Sequence, residues 1–350
     1  MRTNLKSLTH ALSLMLLLSL AISSCDYKDL CYEHPHWVNV EVKFDWRNDT
    51  AANPAGMDVV FYDMDNISAE PVSYHLQGRD GGTVQLLPGR YRAMAYNNDT
   101  EGILYRNTNL ISTVEAYTRL SSIEEGTHLA YGDLPRGEGK EDEYVILEPD
   151  MLWCATHPVF EIEQQDPVTY DYVAEGESAI TRRTYNITMV PEKRVGNVTV
   201  ILRNLKQTDL DNTSNFAGAL STLCPSVMME SGNNSDGKVT EAFTFGYRND
   251  STLEARFHYF GHCPYLSSGT SNTHNLSIYA FLSDDTKWHY NIDVTDQMHD
   301  TKQNPDRYNI IIYVDSLPIP HAITNGSGFH PTVDDWDNVV IPLPEDQTTD

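Results

Sequence analysis

Basic residues are scarce in this chain. Lys and Arg together number 24 against 50 Asp and Glu, a formal net charge of −26 over 350 residues. A surface this acidic repels nucleic-acid phosphates, which excludes nucleic acid as a partner and argues against a flat seat on an anionic membrane. The acids are dispersed rather than gathered into a tail, as on a solvated globular surface. Cysteine is scarce too, at 5 residues, too few for a disulfide scaffold in a chain of this length. Beyond residue 25 no apolar run is long enough to cross a bilayer as a helix. The catalytic signatures are also missing: there is no G-x-S-x-G elbow, no H-E-x-x-H and no G-x-G-x-x-G. Gly139-Lys140 runs into Glu141 without the upstream glycine of a P-loop. The sequence therefore predicts no enzyme, no cofactor and no metal. Paired carboxylates occur, but among 50 acids chance pairs are certain and carry no weight for glycoside hydrolysis.

What the chain does have begins at its N-terminus. Arg2 and Lys6 form a positive n-region, and Ala11 to Ile22 a Leu-rich h-region of signal-peptide length. Ile22-Ser23-Ser24-Cys25 follows the order of a bacterial lipobox: an aliphatic residue, two small ones, then the cysteine to be acylated. Residues 1–24 read as a signal peptide, Cys25 as the lipidated (palmitate-bearing) N-terminus and residues 25–36 as a tether. Several acyl chains at Cys25 anchor stably where one alone is marginal, so the outer-membrane lipid is an expected partner. Without residues 1–24 the balance becomes 22 basic against 50 acidic residues, or −28.

From Trp37 onward short alternating runs recur between turn residues. Val38, Val40, Val42 and Phe44 alternate with Asn39, Glu41, Lys43 and Asp45, the pattern of a half-buried strand. Further runs follow at 57–62, 73–76, 83–87, 90–96 and 144–147, and Pro88-Gly89 suits a type II turn. A polar stretch around 164–178 marks a boundary between 148 and 180. The second half repeats the style at 185–190, 197–205, 243–245, 253–260, 276–282, 288–294 and 308–314, with 216–223 as a short helix or loop after Asn212, Thr213 and Ser214. Twenty Tyr and many Val, Ile and Thr favour strands. About seven strands per half and no strong helix predict an all-β chain of two antiparallel sandwiches, over residues 37–160 and 180–345.

Three clusters hold metal-compatible atoms. Cys31, His34 and His36 lie in C-Y-E-H-P-H, and His258, His262 and Cys263 in H-Y-F-G-H-C; neither has a second ligand pair at zinc spacing. Asp334-Asp335-Trp336-Asp337-Asn338 lacks the glycine of a calcium loop. These read as structural histidines, and as a packed Trp336 with solvated acids around it. Cys31, Cys154, Cys224 and Cys263 allow two disulfides in any of three pairings, or stay buried thiols.

The lipobox, D-L-C-Y-E-H-P-H-W-V-N-V-E-V-K-F-D-W at 29–46, L-P-G-R-Y-R-A-M-A-Y-N at 87–97, F-A-G-A-L-S at 216–221, F-H-Y-F-G-H at 257–262 and V-D-D-W-D at 333–337 together resemble Bacteroidales fimbrillin-type lipoproteins. The resemblance covers most of the mature chain, is nearest to the uncharacterised two-domain lipoproteins of that group, and rests on structural rather than catalytic motifs. It implies two transthyretin-like β-sandwiches in tandem and a non-catalytic, lipid-anchored protein of the outer membrane and cell surface. The role implied is that of an anchor, accessory or stalk subunit of a fimbrium that assembles or adheres by β-strand addition, with other fimbrial subunits as partners through strand exchange. The alternative role is a surface lipoprotein binding glycan or a host ligand. Stalk subunits of this group lose an N-terminal strand to an arginine-specific protease, which makes Arg47 the candidate cut. Asp49-Thr50-Ala51, Asp250-Ser251-Thr252 and Asp315-Ser316-Leu317 resemble the Asp-Ser/Thr pattern that Bacteroidales glycosylate, implying O-glycans at Thr50, Ser251 and Ser316.

Overall fold

Alternation produces the first strand as expected. Val38, Val40, Val42 and Phe44 turn inward and Lys43 outward along β1 (Val38–Phe44). The structure, a computed structural model, describes residues 37–129, 134–163, 184–206, 210, 213–249, 251–263, 272–320 and 336–341. After β1 come β2 (Gly56–Asp63), β3 (Val72–Gln77), β4 (Gly81–Leu86), β5 (Gly89–Asn97), β6 (Leu104–Arg106), β7 (Glu115–Tyr117), β8 (Leu120–Ser121), β9 (Tyr144–Ile146) and β10 (Trp153–Ile162). Then follow β11 (Tyr185–Met189), β12 (Glu192–Lys193), β13 (Gly196–Arg203), β14 (Thr213–Leu223), β15 (Ser226–Met228) and β16 (Val239–Thr244). The series ends with β17 (Gly246–Asn249), β18 (Thr252–Tyr259), β19 (Asn275–Leu282), β20 (Lys287–Asp293), β21 (Asn309–Asp315) and β22 (Asp337–Ile341). Among the described residues two five-residue helices interrupt them, α1 (Ile123–Thr127) and α2 (Thr295–His299). Ser122 caps α1 by accepting from the Glu125 amide at 3.1 Å.

The fold is all-β and sandwiched. A sheet in the order β11-β1-β4 faces one in the order β12-β10-β5-β2-β3 across a core that includes Val40, Met57, Phe61, Ala93 and Met189. The later strands form a sheet β17-β18-β13-β21, a seven-stranded sheet β22-β20-β19-β14-β16-β9-β8 and a small one, β15-β7-β6. A larger core lies among them, and it also takes Val60, Tyr62, Met94 and Cys154 from β2, β5 and β10. Both faces of β2 are thus covered: Val59 and Phe61 point to one core and Val60 and Tyr62 to the other. That explains why β2 is nearly continuously apolar where β1 alternates.

Among the described residues most pairings are antiparallel, and four are parallel: β1 with β11, β13 with β21, β9 with β16 and β20 with β22. Parallel neighbours need long connections, so local pattern cannot announce them. Tyr185–Met189, the strand read as opening the second half, lies beside β1 in the first sheet, and Ile187 and Met189 are buried in its core.

One local expectation fails. Residues 216–223, read as a helix or loop, belong to β14, between β16 and β19 in the seven-stranded sheet. Phe-Ala-Gly-Ala-Leu carries little strand propensity, and burial overrides it. Ala217 and Ala219 sit under Tyr279, and a Cβ on Gly218 would fall 2.6 Å from the Phe243 ring.

Candidate functional site

Two features stand out for interaction: a cavity in the second half and the edge strand β22. The cavity is an open cleft of about 970 Å³, and its lining includes Asn234, Asp236, Lys238, His262, His299 and Arg307. It sits where β14 ends and β18 runs out. Leu223 bridges His262, the Cys224 amide donates to Gly261 O (2.9 Å), and the Cys263 amide donates to Thr222 O (3.2 Å).

Three histidines gather there from separate elements. His274 is fully buried; its Nδ1 lies 3.3 Å from Ser221 O, and its Nε2 lies 3.1 Å from His299 Nε2. A carbonyl can only accept, so Nδ1 carries the proton and Nε2 accepts from His299. His262 meets the His299 and His274 rings at 5.0 and 5.6 Å between centroids, and its buried Nδ1 has no hydrogen-bond partner. Burial pushes His274 down to about 3 and His262 down to about 4, so the cluster is neutral at neutral pH. No group of three His, Cys, Asp or Glu side chains is set to hold a metal ion among the described residues. Besides the imidazoles and asparagine amides, the lining carries the charged Asp236, Lys238 and Arg307, a mixed polar surface.

His274 should be visible in the pH dependence of stability. Unfolded, it takes a proton near pH 6.5; folded, it stays neutral until about pH 3. Its contribution is complete above pH 6.5 and drains away as pH falls. Glu241 acts in the opposite sense: its carboxyl is buried without partners, and desolvation holds its pKa well above the usual carboxylate range. The clean measurement is therefore a difference. Relative to His274→Gln, the parent should lose about 1.4 kcal/mol per pH unit between roughly pH 6 and 5. Urea midpoints at half-unit steps measure it; a constant difference would contradict a neutral His274.

The second feature is β22. Among the described residues it pairs only with β20 and forms an edge of its sheet, with Val340 69% exposed. Trp336, just before it, packs edge-on against Tyr279 and Phe281 at 5.6 and 5.3 Å. Asn338 meets His289 Nδ1 at 2.8 Å. By contrast, β1 is hydrogen-bonded on both sides.

The residues singled out in the sequence are dispersed. Cys25, Cys31, His34, His36, Asp334 and Asp335 lie outside the described residues. Arg47 is exposed after β1, its Nε 2.7 Å from Asp45 Oδ2. Thr50 is exposed in the following turn; Asp49 beside it accepts from Trp153 Nε1 at 2.9 Å and lies 3.3 Å from Lys193. Ser251 is exposed in the β17–β18 turn, and Ser316 closes β21 with φ 56°. His258 meets Glu148 at 2.9 Å instead of joining His262 and Cys263. His274 and His299 were not singled out, since nothing in their spacing ties them to His262.

Comparison with known proteins gives matches of three kinds. A family model described as a domain of unknown function, DUF5119, matches residues 24–244. A Bacteroides ovatus protein classed as the fimbrium anchoring subunit Fim4B is 30% identical over 150 residues, 43% of this chain and 40% of that protein. The chain thus matches well under half the length of that relative. Among solved structures, a Bacteroides ovatus protein classed as an adhesin superposes with TM-score 0.53 at 20% identity, over 85% of this chain and 99% of that one. The fimbrial anchor protein Mfa2 of Porphyromonas gingivalis gives 0.41 at 15% identity, over 81% and 91%.

Proposed function

The chain belongs to the DUF5119 family, and from that footing we propose that it is a non-catalytic, cell-surface lipoprotein that serves as a fimbrial subunit of the anchoring kind. Lipid on Cys25 holds it to the outer membrane, and other fimbrial subunits are its partners. The observation that carries this reading is the 30% identity to a fimbrium anchoring subunit. The strands support the same role. An anchor keeps its N-terminal strand, and β1 is locked between β4 and β11 with Val38, Val40 and Val42 buried. Among the described residues β22 is one sheet edge that a partner strand could extend, where addition would continue the seven-stranded sheet.

Two experiments test the proposal. Cys25→Ala should move the protein from the detergent-extracted membrane fraction to the soluble one; undiminished membrane retention would refute the anchor. The purified mature chain, treated with an arginine-specific protease and run unheated, should stay monomeric even if Arg47 is cut, because β1 remains paired on both sides. A heat-labile ladder of high-mass species would instead identify a stalk subunit that polymerises by exchanging β1.

A further inference from the structure

Cys224 and Cys263 touch. Their sulfurs stand 4.0 Å apart although the residues are 39 positions apart in the chain. Both are buried thiols, and both line the cavity. Their backbones are registered by the Leu223–His262 bridge and the two hydrogen bonds flanking it. They occupy the same face of this short ladder, one residue beyond each bridged partner, because side chains alternate along a strand. A disulfide bond is about 2.05 Å long, so closure asks each sulfur to advance by about 1 Å, a side-chain rotation that leaves the ladder in place.

We propose that Cys224 and Cys263 form an intramolecular disulfide in the exported protein, a reading that rests on export through the N-terminal signal proposed above. The oxidant is a disulfide-bearing thiol compound or oxidoreductase, reaching the pair through the cavity. One cysteine thiolate attacks a sulfur of the oxidant, forms a mixed disulfide and expels a thiolate. The second cysteine thiolate then attacks the first cysteine's sulfur and expels the other thiolate. Both cysteine protons end on the two departing thiols, and two electrons pass to the oxidant. The bond staples the end of β14 to the end of β18 at the rim of the cavity.

The test has two arms. In the first, protein from the membrane fraction is quenched with N-ethylmaleimide, digested without reduction and analysed by mass spectrometry. A linked peptide pair carrying Cys224 and Cys263 is expected, present in Cys154→Ser and absent from Cys224→Ser and Cys263→Ser. Reduction should lower the melting temperature by on the order of 10 °C, the effect of opening a loop of this length. Both cysteines alkylated in membrane-fraction protein would overturn the proposal. In the second arm, the recombinant mature chain is titrated with glutathione disulfide. The internal link is expected rather than two glutathione adducts, and failure to form it would overturn the pairing whatever the cellular location. A chain found in the cytoplasm that nonetheless closes the link in this second arm would count against export and not against the geometry.

Discussion

Replacing Lys140 with Ala should destabilise the protein by about 3–5 kcal/mol, the loss that follows when one member of a buried ion pair is removed and its partner is stranded. Lys140 and Glu143 side chains are 8% and 9% exposed, with Nζ 3.6 Å from Oε1. The ammonium donates to Thr222 Oγ1 and to Thr273 O, each at 2.7 Å. Glu143 accepts from the Thr222 amide at 2.9 Å and from the Thr222 and Thr240 hydroxyls at 3.0 Å. Thr222 itself sits at φ 63°, so the network pins a strained end of β14 while tying down the loop at 137–143. Urea unfolding should show a lower midpoint with an unchanged slope. Lys140→Ala/Glu143→Gln should recover part of the loss, since the stranded charge is gone. A double variant as unstable as the sum of the singles would mean that the two side chains act independently.

Gly81→Ala should be comparably damaging, by about 4 kcal/mol or more. Gly81 opens β4 at φ +113°, and a Cβ there would lie 2.0 Å from the carbonyl oxygen of Val42 in β1. Backbone cannot swing away as a side-chain tip can, so β1 and β4 must separate or the turn must refold. Trp46, whose Nε1 donates to Arg79 O at 2.7 Å, reports on this corner by fluorescence. A midpoint displaced by less than about 1 kcal/mol would show that the turn relaxes freely.

Strands with one wet face were legible in the sequence, because alternation records the two faces of a sheet; β1 and β18 are cases. The failure at β14 has the opposite cause. Its Ala and Gly residues suit close packing beneath Tyr279 and Phe243 and carry no outward sign of a strand. Partnership was illegible wherever contact order was high. Nothing near Tyr185 points to Val40, its neighbour in the parallel pair, and nothing near Cys224 points to Cys263. The H-Y-F-G-H-C motif drew attention to a real cluster, which holds His262 and Cys263 but not His258. Strand alternation sends His258 toward Glu148, while His274 and His299 arrive from elsewhere. The stretch Ile22-Ser23-Ser24-Cys25 stands apart, since the reading it supports concerns processing and not packing.

The parallel pairing of β1 with β11 has a mechanical consequence under the N-terminal tether proposed above. Tension that enters at residue 37 and leaves beyond Met189 pulls β1 from its N-terminal end and β11 from its C-terminal end. Because the two strands run the same way, the load slides them past each other in shear. All five registered pairs from Val40–Tyr185 to Phe44–Met189 resist together. A hairpin pulled at its open ends would part rung by rung. Forced unfolding is governed by the height of the unfolding barrier, and shear loading raises it where the proposed tether would load the fold.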